Sequence, residues 1–157
     1  MERIIGIGEY AITNDTNDKI KTYALGSCVA LTVYCPIKKV LGMAHIALPK
    51  SDIQPEKRRA QPGYFADTAV LLLLDKICLE YGCKKETLVI KLFGGANSIR
   101  PADLFKIGIK NVKAVKKLLA EHNLKCLVED TGGTVSRTVE ADAETGEVSV
   151  ETQPLFI

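Results

Sequence analysis

CVALTVYCPIKKVLGMAHIALP, residues Cys28 to Pro49, is the stretch from which the rest of the chain is read. Val29, Leu31 and Val33 alternate with Cys28, Ala30 and Thr32, the period-two pattern of a strand whose two faces meet different surroundings. CPIKK turns the chain and VLGMAHIALP runs back, which predicts an antiparallel hairpin. Facing residues in such a pair share one index sum. If Val33 faces Val40 across a four-residue loop, Cys35–Lys38, then Leu31 faces Gly42, Val29 faces Ala44 and Cys28 faces His45. Directly opposed Cβ atoms lie about 4.5–5.5 Å apart, within reach of a thiol–imidazole contact. A slip of one residue would send the two side chains to opposite faces of the sheet.

On either side the pattern extends this nucleus. RIIGIGEYAIT reads as one bent strand, NDTNDK as a turn, and IKTYAL as the returning strand. KSDIQPEKRRAQPG is a polar loop, long enough to be mobile or functional. From Tyr64 to Tyr81 the spacing is helical and Gly82 supplies the stop. TLVIKLF is a buried strand ending at Gly94-Gly95. IKNVKAVKKLLAEHNL is an amphipathic helix with Ile109, Val112, Val115, Leu118 and Leu119 on its apolar stripe. KCLVED is a further strand, and RTVEADAETGEVSVE closes the chain as a hairpin around Glu144-Thr145-Gly146. Strands first, then two helix–strand units, then a hairpin point to an α+β fold, expected as one domain over residues 1–157.

Bulk properties exclude several function classes. The chain has 157 residues and a net charge of +2, too small a surplus to imply a nucleic-acid partner. The lysines of KNVKAVKK fall on a helical pattern and read as a solvated face. No stretch approaches the roughly 18 apolar residues of a membrane span, and the opening MERIIGIGEY does not read as a secretory signal. Five cysteines, at 28, 35, 78, 83 and 126, are an odd number without a CxxC pair. They suggest neither a disulfide framework nor a zinc cluster, and a cytoplasmic protein without metal or organic cofactor is expected. Gly6, Gly8 and Ala11 fit the spacing of a dinucleotide fingerprint, but ITNDTND after them cannot open the helix that fingerprint needs.

Cys28 and His45 are the best constellation for chemistry. A free thiol, with a pKa of about 8.5, is mostly protonated at neutral pH. An adjacent imidazole can take its proton and later deliver it to a leaving amine. A third group normally fixes such an imidazole, and Thr22, on the strand leading into Gly26-Ser27-Cys28, is well placed for that role. The bend at Gly26-Ser27 would expose backbone N–H groups as an oxyanion hole. The plainer alternative is a buried hairpin cysteine beside a histidine that is there by chance. Cys78 and Cys126 lie in apolar patterns, Cys83 follows the helix stop and Cys35 sits in the turn, so these four read as structural. His122 sits at a helix C-terminus, where a positive charge suits the dipole.

TYALGSC, GMAHIALP, YFADTAV, KLFGGA, IGIKNVKAVKKLL and EDTGGTVSRTVEADAETGEV occur in order from about Gly6 to Val148. Together they resemble the CheD family of chemoreceptor glutamine deamidases. The resemblance implies a β-sandwich core flanked by two main helices, similar to the catalytic domains of deamidating toxins. It implies hydrolysis of glutamine side-chain amides on methyl-accepting chemotaxis receptors, giving glutamate and ammonia through a cysteine thioester. It places the family's nucleophile on Cys28, its histidine on His45 and its threonine on Thr22. It also implies the CheC phosphatase as a partner that competes with receptor. Two stretches depart from the family's expected pattern: the long basic SDIQPEKRRAQPG, and GGANSIRPADLFKIG, where Asn97-Ser98 replaces a more apolar sequence. A binding module for CheC or receptor, and a related amidase or methylesterase at the same residues, are the alternative functions.

Overall fold

The computed structural model describes residues 1–97 and 105–155. Along them run β1 (Glu2–Ile4), β2 (Tyr10–Thr13), β3 (Lys19–Leu25), β4 (Val29–Cys35) and β5 (Val40–Ile46). Then come α1 (Pro55–Ala60), α2 (Ala66–Asp75), β6 (Val89–Gly94), α3 (Ile107–Glu121), β7 (Val128–Thr131), β8 (Val135–Asp142) and β9 (Val148–Pro154). Two mixed sheets result, one ordered β1-β3-β8-β9 and the other β2-β5-β4-β6-β7. The α+β expectation holds.

The hairpin forms with a register two residues away from the expected one. Cys35 pairs with Val40, Val33 with Gly42, Ala30 with His45 and Val29 with Ile46. The loop is Pro36–Lys39, and Lys39 takes a left-handed backbone (φ 52°), which lets Cys35 join the ladder. Cys35 is therefore the buried last residue of a strand and not a turn residue. Because the shift is even, every side chain keeps its expected face. Cys28 lies beyond the ladder, whose last pair is Val29 with Ile46, and packs against the same cluster as Ala30, the partner of His45.

All fourteen residues of β4 and β5 are buried, because each face of this hairpin meets a different layer. Val29, Leu31, Val33, Ala44 and Ile46 pack under α2 and α3 against Leu73, Ile77, Val115 and Leu119. Ala30, Tyr34, Leu41 and Met43 face the other sheet and meet Ile20, Leu25, Val139 and Ala141. Thus the layers are sheet, sheet, helices. Arg137 of β8, buried between the sheets, donates to Gly94 O of β6 at 3.3 Å and pairs with Asp130 of β7 at 3.2 Å.

Other expectations need correction. RIIGIGEYAIT is two strands in different sheets, not one bent strand. β1 runs parallel to β3, while β2 pairs with β5. IKTYAL consequently does not return along the preceding strand. Gly8, with φ at 81°, lies in the turn by which the chain changes sheets. The long polar loop contains α1 and a 3₁₀ turn, Pro62–Tyr64. α2 widens into a π turn over Lys76–Glu80 before Gly82. On α3 the buried line is Gly108, Asn111, Val115 and Leu119, while Ile109 is 40% exposed. The expected stripe is rotated toward Asn111, which apolar periodicity passes over.

Candidate active site

Thr22 and His45 come from different sheets and meet between them. Both are buried. Thr22 Oγ1 lies 2.6 Å from His45 Nδ1 and 2.8 Å from Ile5 O. A threonine hydroxyl has one proton and a carbonyl oxygen can only accept. The proton of Thr22 goes to Ile5 O, so Nδ1–H of His45 donates to Thr22 Oγ1. That tautomer leaves Nε2 with a free lone pair. The histidine backbone is fixed as well: its N–H donates to Glu9 O at 3.0 Å, and its carbonyl accepts from Gly8 N at 2.9 Å. Burial pushes the imidazole down to about 4, against a smaller upward pull from the Glu9 carboxylate.

Cys28 stands just before β4, one pleat from Ala30, the ladder partner of His45. It is half-buried beside an exposed Ser27 and packs against the core cluster between the sheets. Burial raises its thiol, and its own backbone N–H offsets part of that rise. Burial thus favours the neutral form of each group, and among the described residues no hydrogen bond joins Cys28 to His45, whose side-chain partner is Thr22.

The segment Gly26–Cys28 is held by its carbonyls. Gly26 O accepts from Ala96 N and Cys28 O from Gly95 N, each at 2.9 Å. Ser27 O accepts from the side chain of Asn111 at 2.9 Å. Among the described residues no backbone acceptor receives the N–H of Gly26, Ser27 or Cys28. Two glycines make this closeness possible. Gly94 has φ at 105°, and a Cβ on it would run into Cys28 O. A Cβ on Gly108, in the first turn of α3, would run into Ala96 O. The β3 ladder also shifts register between Thr22 and Leu25, with Ala24 left-handed at φ 54°. Such a bulge bends the strand leading into Gly26.

Sequence reasoning missed three contributors: the Ile5 carbonyl, the Gly95–Ala96 backbone and Asn111. The first two are main-chain groups that residue types do not announce. Asn111 could have been found as a polar residue at the Gly108, Val115 and Leu119 spacing. Of the expected departure at Asn97-Ser98, the part from Ser98 to Leu104 lies outside the described residues. Among the described residues no group of three or more His, Cys, Asp and Glu side chains could hold a metal ion, and no helix is long and apolar enough to cross a membrane.

Residues 47–152 match the sequence model of the family described as CheD chemotactic sensory transduction. That segment begins after His45, so it bears on residues other than the three candidates. A probable chemoreceptor glutamine deamidase CheD of Syntrophotalea carbinolica is 44% identical over 149 residues, covering 94% of this chain and 91% of the relative. The chemoreceptor glutamine deamidase CheD of Thermotoga maritima is 43% identical over 150 residues, 96% of this chain and 91% of the relative. Its counterpart in Halalkalibacterium halodurans is 43% identical over 136 residues, 85% and 83% of the two chains. Among solved structures, the Bacillus licheniformis hypothetical protein YfiH superposes on 78% of this chain and 50% of its own, with 11% identity and a TM-score of 0.49. A family model matched over more than half of the sequence, and relatives above 40% identity along nearly all of it, establish that this chain belongs to the CheD family.

Proposed function

We propose that this chain is a protein-glutamine deamidase acting on chemoreceptors, with Cys28 as nucleophile, His45 as general base and acid, and Thr22 as the group that orients it. The names borne by its relatives support the substrate class. The observation that carries the residue assignment is the 2.6 Å contact of Thr22 with His45 Nδ1, which leaves Nε2 unprotonated on the face that Cys28 shares.

In the proposed reaction Nε2 takes the Sγ proton as sulfur attacks the glutamine side-chain carbonyl. The C–S bond forms, the C=O π electrons move to oxygen, and the N–H groups of the Gly26–Cys28 segment face the resulting oxyanion. Collapse re-forms the carbonyl and breaks the C–N bond, while the imidazolium gives its proton to the departing ammonia. Water, deprotonated by Nε2, then attacks the thioester. The new C–O bond forms, the C–S bond breaks with its electron pair on sulfur, the proton on Nε2 passes to Sγ, and the product leaves as the side-chain acid that ionises to glutamate. The cycle as a whole starts and ends with neutral Cys28 and neutral His45, the forms that burial favours for each. The steps draw on no metal or organic cofactor. The CheC phosphatase as a competing partner belongs to the same proposal and rests on the family resemblance. So does a cytoplasmic location, with which five free cysteines agree.

Mass spectrometry of a purified chemoreceptor, incubated with wild type and with Cys28→Ala, tests the reading. Amide-to-acid conversion at receptor glutamines is expected with wild type alone. Equal conversion by both proteins would refute the assignment of Cys28.

A further inference from the structure

We propose that Asn111 is a positioning residue that locks the nucleophile segment to the end of the histidine strand. The proposal rests on the reading of Cys28 and His45 given above. Asn111 Nδ2 donates to Ser27 O at 2.9 Å and to Ala47 O at 3.0 Å. Ser27 is the residue before Cys28, and Ala47 lies two residues after His45. The β4–β5 ladder ends at Val29 and Ile46, so these two carbonyls sit just past the last point where the strands hold each other. One amide group with two hydrogens replaces the missing ladder at that point. Two carbonyl oxygens can be met only by the nitrogen of the amide, which fixes the orientation of the side chain.

Packing alone does not account for an asparagine here. The side chain is completely buried, on the line of α3 that also carries Val115 and Leu119. Its Oδ1 is buried too and has no hydrogen-bond partner among the described residues. A half-satisfied amide in a core destabilises it, and an apolar residue would continue the stripe without that cost. What the amide supplies, and an apolar residue cannot, is the pair of donors. Gly95 N and Ala96 N hold Cys28 O and Gly26 O from β6 and the residues following it. Asn111 holds the carbonyl between them from the helix layer. With all three carbonyls tied, the sulfur stays half-buried on the face it shares with His45.

Asn111→Asp keeps the shape and removes the two N–H donors; Asn111→Ala removes the group. Leu119→Ala loosens the same helix two turns away. Each protein is treated with iodoacetamide at neutral pH, and every cysteine is followed by peptide mass. In both Asn111 variants Cys28 is expected to alkylate about tenfold faster as its segment swings into water. The buried Cys35 and Cys83 should stay as protected as in wild type. Deamidation of receptor should move the opposite way, with kcat down about 100-fold, as for a misplaced reacting group, and KM within about twofold. Leu119→Ala should show no selective exposure of Cys28. Unchanged Cys28 alkylation in the Asn111 variants would overturn the proposal, as would acceleration shared by Cys35 and Cys83. Deamidation by Cys28→Ala at the wild-type rate would instead overturn the underlying reading of the site, while the alkylation pattern still decides whether Asn111 holds the segment.

Discussion

Thr22 hands its one proton to Ile5 O and receives one from His45 Nδ1, so a single hydroxyl decides which imidazole nitrogen is basic. Thr22→Val keeps the volume and deletes the acceptor. A buried donor left unpaired costs about 1–3 kcal/mol. Deamidation by Thr22→Val is therefore expected to slow by roughly 10- to 100-fold. Thr22→Ser should stay within a few-fold of wild type. A steady-state comparison of the three proteins checks this. The pH profile belongs to the same scale. His45 protonates only near 4. The general-base reaction should hold its rate down to about one pH unit above that value and fall below it. A thiolate–imidazolium resting pair would instead lose activity on the alkaline side as His45 gave up its proton. A fall in kcat/KM near neutrality on raising the pH would contradict the neutral pair.

At the scale of elements, the first turn of α3 approaches the backbone after β6 because Gly108 has no side chain there. Gly108→Ala forces the helix away from Ala96, an overpacking change that costs about 1–3 kcal/mol. Urea unfolding should register that loss. Activity should fall further than in a variant of equal stability loss elsewhere on α3, because Gly95 and Ala96 carry the donors to Cys28 O and Gly26 O. Equal activity at equal stability would separate the helix from the nucleophile segment.

At the scale of the whole molecule, the site joins the two sheets. Thr22 stands on one and His45 on the other, so protonation of His45 bears on the fold as well as on the proposed chemistry. In the folded chain His45 titrates at about 4, below the ordinary 6.5 of an unfolded histidine. Between those values the unfolded chain binds a proton that the native chain does not. Stability contributed by neutral His45 is complete above about 6.5 and declines as pH falls toward about 4. The linkage amounts to about 3 kcal/mol at most. His45→Gln should flatten the dependence of urea midpoints on pH in that window; an unchanged slope would contradict it.

Residue types and spacings were enough for part of this. Alternation in CVALTVY and VLGMAHIALP, with the CPIKK turn between them, determined a hairpin and put Cys28 and His45 on one face. Period-two parity survives an even slip, which is why the face was legible while the facing pair, His45 with Ala30, was not. The order of strands and helices likewise determined an α+β fold. Only tertiary structure decided that β1 and β2 belong to different sheets and that Ile5 O takes the proton of Thr22. It also decided that Asn111 reaches two carbonyls. Those are long-range choices among backbone groups that every residue carries alike, and local periodicity holds no information about which of them will meet.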